Sequence, residues 1–334
     1  MRKILSIILC LSLCVSFGGC SFKADGLEKG LESLVSAIGF QQEGDVFSVY
    51  LETITVNSED SASDKKLTLT EGNGKNLADA FEQACLKTVR PFMFSHCAVA
   101  VIGSGITAKR MREICRFLYN KDEINLSLRF IYTENAKELL SCETVASVAV
   151  GYDLADALDR QSSHNGIIYQ NRFYEVEAAR KKAVNIFALP HFTANDDSYE
   201  SSGLVIFKND APVMELNQEE TLIYSIATEN QTSGTVFIDN KEYALEGLTV
   251  QHEFNFEEKL ETKLNIDIKL IGNGRPNTKI ATLISELFIK SKLKGADIFM
   301  FGNVLHKKNR EIWGKAEHDY YNIYKNSQLA VTVK

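Results

Sequence analysis

The chain is 334 residues long, 45% hydrophobic and 24% charged, the composition of a globular protein able to bury substantial cores. Its formal charge of −7 argues against a nucleic-acid partner, since no basic stripe is present to neutralise phosphates. Beyond position 20 no apolar run approaches the roughly twenty residues that a membrane-crossing helix needs.

Arg2 and Lys3 precede an apolar run from Ile4 to Phe17, followed by Gly18, Gly19 and Cys20. Positive charge, a short apolar core and small residues make residues 1–19 a secretory signal rather than a membrane span. The cysteine directly after two glycines resembles a bacterial lipobox, although Phe17 stands where Leu is usual. In a lipobox the thiol receives a diacylglycerol and the cysteine becomes the mature N-terminus, so Cys20 is the candidate lipidation site. A plain secretion signal, with Cys20 incidental, is the alternative. The polar stretch Ser21-Phe22-Lys23-Ala24-Asp25 fits a tether, and an anchor with two chains holds a domain at a membrane where a single chain does not.

Of seven cysteines, Cys10 and Cys14 leave with the signal, and Cys85, Cys97, Cys115 and Cys142 remain beside Cys20. None forms a CxxC pair, which argues against a zinc or redox site. Buried free thiols are the favoured reading, because cysteine packs like a small hydrophobe. Disulfides stay open in an exported chain.

Taken in order, Leu27, Leu31, Leu34, Val35 and Ile38 recur at helical spacing and predict an amphipathic helix after the tether. Val46–Val56 predicts a strand, and the polar Ser58–Gly74 a surface loop. Asn76 caps a helix carrying Leu77, Phe81 and Cys85 that ends by Pro91. Cys97–Ile102 is a continuous apolar run, expected of a strand covered on both faces. Thr107 caps a helix with Met111, Ile114, Cys115 and Leu118 on one side. Ile124–Tyr132 alternates as a half-buried strand, and Asn135–Leu140 restarts a helix. This alternation predicts an α/β layer with neighbouring strands parallel. Leu154–Leu158 and Tyr174–Phe187 predict further helices, with a break around Ser162–Gly166. Pro190–Ser202, with Asn195-Asp196-Asp197-Ser198, reads as a linker between domains. Beyond it, Leu204–Phe207, Ala211–Leu216, Gly234–Ile238, Leu248–Phe256 and Leu264–Ile271 are strand candidates. A long helix over Thr278–Leu293 and a last strand over Gln328–Val333 complete an expected antiparallel sheet with a packed helix.

The constellations that could carry chemistry are sparse. Gly103-Ser104-Gly105 lies where a phosphate loop would sit, but lacks the third glycine of a dinucleotide fingerprint and the GKS or GKT of a nucleotide loop. A tight turn capping a helix is favoured there, and likewise at Gly272-Asn273-Gly274. Ser95-His96 has no GxSxG elbow beside it and reads as a turn opening a strand. The six histidines show no HExxH or paired spacing, which gives a metal site little support. Trp313, Tyr320, Tyr321 and Tyr324 form an aromatic cluster, read as a terminal helix packed on the sheet, with a ligand or partner surface as the alternative. No catalytic, cofactor or metal residue is assigned.

Three stretches carry a resemblance. The first runs from Leu77-Ala78-Asp79-Ala80 through Phe94-Ser95-His96 and Val99-Ala100-Val101-Ile102-Gly103, then Phe117–Ile124 and Asn135–Leu140. The second is Gly203-Leu204-Val205-Ile206-Phe207-Lys208. The third is Gly295–Gly302, containing Asp297-Ile298-Phe299-Met300-Phe301, followed by Trp313 and Tyr320-Tyr321. In this order they resemble the Ger(x)C family of spore germination lipoproteins, the GerAC/GerBC-type C subunits of nutrient germinant receptors. Ser21-Phe22 stands where the family has Trp-Asp, Asn120-Lys121 replaces an Arg before Asp122, and the second late aromatic is tyrosine. The resemblance implies a multi-domain fold, α/β plus α+β, with mixed β-sheets packed by helices. It further implies a noncatalytic lipoprotein without cofactor, lipidated at Cys20 with a palmitate-class anchor. Its place would be the outer face of the spore inner membrane, beside integral-membrane A and B subunits.

The expected organisation is a signal peptide over 1–19, an N-terminal α/β region over 20–192 and a C-terminal α+β domain over 193–334. The expected function is support of nutrient-triggered germination. A surface solute-binding lipoprotein is the alternative, and an extracytoplasmic enzyme using Ser95, His96 and Gly103 comes third.

Overall fold

A computed structural model of the chain describes residues 32–56, 65–165, 167–231 and 233–334. The signal segment and Cys20 lie outside them. Two sheets organise what is described. The larger contains β1 (Ser33–Glu43), β2 (Val46–Val56), β3 (Lys65–Gly74), β4 (Phe92–Met93), β5 (Val99–Ile102), β6 (Arg129–Tyr132), β7 (Ile186–Asn195), β8 (Ser198–Lys208) and β9 (Ala211–Leu216). Its order is β3-β2-β1-β5-β6-β7-β8-β9, with β4 beside the start of β1. The centre, β1-β5-β6-β7, is parallel, and each flank is extended by antiparallel strands.

Burial follows from that topology. Val99–Ile102 is buried along its whole length because helices cover both faces of a parallel sheet. On one face lie α1 (Leu77–Cys85), α2 (Ala108–Tyr119) and α5 (Phe173–Arg180), sharing a core with Phe40, Ala100, Ile102 and Phe130. On the other lie α3 (Ala136–Leu140) and α4 (Val150–Asn165), against Ala37, Val99, Val101 and Ile131. The expected caps are present: Asp79 N, Arg110 N and Glu138 N donate to the side chains of Asn76, Thr107 and Asn135.

The smaller sheet runs β10 (Gly234–Ile238), β11 (Lys241–Phe256), β12 (Leu260–Gly272) and β13 (Gln328–Val333). It packs with α6 (Gln218–Ala227), α7 (Asn277–Lys294), α8 (Phe301–Lys308), α9 (Arg310–Ala316) and α10 (Tyr320–Asn326). The same core takes Ile186 from β7 and Leu204 and Ile206 from β8, so the two sheets meet through apolar contact rather than through a linker.

Several expectations are corrected. The helix expected over Leu27–Ile38 is a strand where it is described: Leu34, Val35 and Ile38 lie in β1, whose residues 35–41 are all buried. A short apolar run covered on both sides satisfies helical spacing by accident. Within the expected loop over Ser58–Gly74, Lys65–Gly74 is β3, paired with β2 from Val56↔Lys65 to Phe47↔Gly74. Its polar composition is that of an edge strand, where charged and small residues discourage further pairing. Gly72 and Gly74 there admit α1, since a Cβ on Gly72 would lie 2.0 Å from the Ala80 carbonyl oxygen.

The strand expected over Ile124–Tyr132 shrinks to Arg129–Tyr132, the length that the four-residue β5 can pair. Helix α5 stops at Arg180, and Ile186-Phe187 open β7 instead of closing the helix. Helix α4 runs through Ser162 and ends at Asn165. The linker expected over Pro190–Ser202 is the β7–β8 hairpin, turning at Asp196, whose φ is 51°. Asn-Asp-Asp-Ser signals a turn, but does not say whether strands or domains flank it. Thr193 accordingly lies inside β7, and the strands over Leu204–Phe207 and Ala211–Leu216 complete the large sheet rather than the small one. Nor is the small sheet wholly antiparallel, because β13 runs parallel to β12.

Candidate functional site

Residues 295–302 form a tight joint between the helices of the C-terminal part. Gly295 ends α7 in the left-handed region at φ 58°, and Met300 adopts φ 58° just before α8. Asp297, fully buried, faces the α8 N-terminus: its carboxylate accepts from Phe301 N at 3.0 Å, Gly302 N at 2.8 Å and Tyr320 Oη at 2.7 Å. Burial pushes its pKa up to about 6 against the opposing pull of these donors. Gly302 is required by contact, since a Cβ would lie 2.4 Å from Val184 Cγ2 and 2.6 Å from the Tyr320 ring. The aromatic cluster sits around this joint. Trp313 lies 5.3 Å from Tyr320 between ring centroids, and Tyr324 bonds Ser291 Oγ at 2.6 Å. Asn303 then ties α8 to the segment before β7 by exchanging two bonds with the Val184 backbone. The motif residues are thus packing and capping residues.

A second buried carboxylate, Glu52 on β2, was not singled out by the sequence. It accepts from Ser36 Oγ at 2.6 Å, Val150 N at 2.7 Å and Gly151 N at 2.9 Å, fixing the start of α4 on the large sheet. Burial raises its pKa, opposed by these donors. Its sequence signal was an acidic residue between Leu51 and Thr53 inside a predicted strand.

A third cluster lies at the carboxyl edge of the parallel strands. Glu134 follows β6, His191 is on β7 and Glu215 on β9, and one ligand atom from each lies within 4.8 Å of the others. One imidazole and two carboxylates are a donor set that could hold a divalent cation. His191 Nε2, however, already lies 2.8 Å from a Glu134 carboxylate oxygen, so this contact already uses two of the three donors. The neighbouring Tyr132 phenol is shifted up by burial, then by Glu134 and Glu215.

The residues singled out from sequence do not converge. Ser95 and His96 are exposed before β5, whereas Gly103 follows its other end, so the three form no common site. Gly103 N donates to Phe40 O at 2.7 Å, and Ser104 O accepts from Gln42 N at 3.2 Å, so the glycine turn is spent on the fold. A Cβ on Gly105, at φ +76°, would lie 1.9 Å from the Gln42 carbonyl oxygen. At the second glycine turn, Asn273 O accepts from Tyr243 Oη at 3.2 Å. Cys85, Cys97, Cys115 and Cys142 are free thiols. Burial pushes Cys97 up to about 12 and also raises Cys115, which keeps both as unreactive thiols. No helix among the described residues is long and apolar enough to cross a membrane.

Comparison with known proteins decides what this scaffold belongs to. The model of the spore germination protein N-terminal domain matches residues 32–194, and the spore germination B3/GerAC-like C-terminal model matches residues 250–334. The chain belongs to the GerAC-like spore germination family. The two matches follow each other in the family's order and together span most of the described chain. The crystal structure of the GerBC protein superposes with a TM-score of 0.53 at 11% identity, over 89% of this chain and 95% of that one. That likeness shows a shared fold, in which mixed sheets are packed by helices. No curated protein matches the chain. The germination assignment therefore rests on the family models, and the stretch around Asp297 falls inside the second of them.

Proposed function

We propose that this chain is a membrane-anchored, noncatalytic lipoprotein subunit of a nutrient germinant receptor, held by acyl chains on Cys20. The observation that carries this reading is the pair of germination-family matches on one chain; residues 1–19, read as a secretory signal ending in Gly18-Gly19 before Cys20, support it. The body is set outside the spore inner membrane, beside integral-membrane A and B subunits. Residue 32 leads into β1 at Ser33, whose N–H donates to Pro91 O at 3.0 Å, so the tether joins the body at that end of the sheet. A lipid anchor confines the domain to a membrane-near layer, which raises its effective concentration toward a co-resident partner without a large affinity.

Deleting the gene and exposing spores to nutrient germinants tests the role. Slowed or lost germination is expected, and an unchanged response with no paralogue covering the loss overturns it. Cys20→Ala tests the anchor separately: the protein should move from the membrane fraction to the soluble fraction. Equal retention of the variant removes the lipid tether from the account.

A further inference from the structure

Between the two sheets lies a cleft of about 640 Å³, within the range of small-molecule sites. Its walls come from the end of α4, the segment 167–169, β8, the first turns of α6, and β10 with the turn after it. Most of the lining belongs to residues 195–249, the stretch that neither germination-family model covers. The cleft is therefore built by the part of the chain that the family match leaves unexplained.

Local geometry keeps it open. The β7–β8 ladder shifts register between His191↔Gly203 and Phe192↔Ser201, leaving Ser202 as an extra residue, and such bulges re-aim neighbouring groups. Gly203 has φ +127°, and a Cβ there would lie 2.0 Å from the Leu216 carbonyl oxygen. Only glycine lets β8 pass so close to the start of α6 while Ser201 and Gly203 line the cleft.

The chemistry of the lining is uneven with depth. Gln231 has no solvent exposure; its Nε2 donates to Asn165 O at 2.5 Å, while its Oε1 has no partner among the described residues. An unpaired buried carbonyl oxygen has lost its water without replacement, so a ligand that supplies a donor there gains more than at a solvated site. Nearby polar groups are neutral as well. Tyr169 Oη donates to Gln161 Oε1 at 2.8 Å, and the buried Thr221 adds a hydroxyl. Two carboxylates, Glu219 and Asp239, stand at the exposed rim. Asp239 already meets Lys279 Nζ at 3.5 Å, and Glu219 lies in the first turn of α6, where negative charge complements the helix terminus. Among the described residues no Lys, Arg or His lines the cleft, which disfavours an anion. Phe237, 60% exposed, offers an aromatic face at the mouth.

We propose that this cleft binds a small neutral polyhydroxylated molecule of the sugar or polyol class, with Gln231 as the buried acceptor and Phe237 as the stacking face. Neutral amides and hydroxyls both donate and accept, which is what a ring of hydroxyl groups requires. The proposal stands apart from the lipid anchor and from the receptor assignment.

Isothermal titration calorimetry on the full-length chain in detergent tests it, with hexoses, pentoses and inositol as probes, glucosamine as the cationic control and gluconate as the anionic one. Saturable binding of at least one neutral probe at millimolar concentrations is expected, with gluconate not bound. Phe237→Ala, at an exposed position that leaves the fold intact, should weaken that binding about tenfold. Gln231→Leu should abolish it; because the substitution also removes the donor to Asn165 O, a cooperative melting transition is the control that the variant is folded. If no neutral probe saturates, the cleft holds water only and the proposal fails. It fails equally if both variants bind like the parent, or if glucosamine or gluconate binds more tightly than every neutral probe.

Discussion

Glu52 in the large sheet and Asp297 in the C-terminal part solve the same problem in two places. Each is a buried carboxylate that accepts two consecutive backbone N–H groups at the start of a helix and one side-chain hydroxyl. Each has a glycine as the second amide donor, Gly151 or Gly302, at a point where a Cβ would collide with its surroundings. The difference lies in what else holds the joint. Ser36 Oγ also lies 3.2 Å from the Glu52 backbone oxygen, so it keeps an acceptor when the side chain is lost. Among the described residues Tyr320 Oη has no second acceptor, and its ring is locked among Trp313, Tyr321 and Tyr324. The C-terminal joint is therefore the less forgiving of the two. Both are devices for fixing a helix end on a sheet-bearing scaffold, and neither is chemistry.

The largest expected effect is at Asp297. Asp297→Ala leaves two buried N–H groups and a phenol unpaired, a loss of about 3–5 kcal/mol in urea unfolding. Glu52→Ala should cost less, about 2–4 kcal/mol, because Ser36 retains its backbone acceptor. Equal losses would break the distinction between the joints. The glycines sharpen it in the opposite direction. Gly151→Ala places a Cβ 2.7 Å from the Ser36 backbone oxygen, which cannot move, whereas at Gly302 the obstacles are the Val184 and Tyr320 side chains. Both should destabilise by about 1–3 kcal/mol, Gly151→Ala the more, as read from denaturation midpoints.

The pH dependence is shared between the two joints. Both carboxyl pKa values are raised on folding, Asp297 to about 6. The folded state then binds more protons than the unfolded chain, so stability is fullest below the unfolded carboxyl pKa, about 4. It falls as pH rises from there through the folded value. Asp297 should account for a loss of about 3 kcal/mol over that interval. Asp297→Asn should flatten the slope between about pH 4 and 6, and Glu52→Gln should remove the smaller remainder. A slope unchanged in both variants would place the proton uptake elsewhere.

The C-terminal joint was visible as a string of letters, Gly295 to Gly302 with Trp313 and Tyr320 behind it, because its groups are nearly contiguous. The Glu52 joint was not, because its partners come from Ser36 on β1 and from Val150 and Gly151 nearly a hundred positions away. The same reason explains the errors over β1 and β3. A strand's identity depends on what pairs beside it, and neither a doubly covered strand nor a polar edge strand displays the alternation of a half-buried one.

From the sequence alone come the expectations of export and of a lipid site at Cys20, together with the helix caps at Asn76, Thr107 and Asn135, the central apolar strand and the family. Each depends on residues adjacent in the chain or on local periodicity. The tertiary structure alone decided that Pro190–Ser202 is a hairpin inside one sheet, that β8 and β9 complete that sheet, and that Glu134, His191 and Glu215 meet. It also decided that a polar cleft opens beside Gly203. Those outcomes are set by long-range pairing and by the close approach of backbones, which composition and spacing along one chain do not encode.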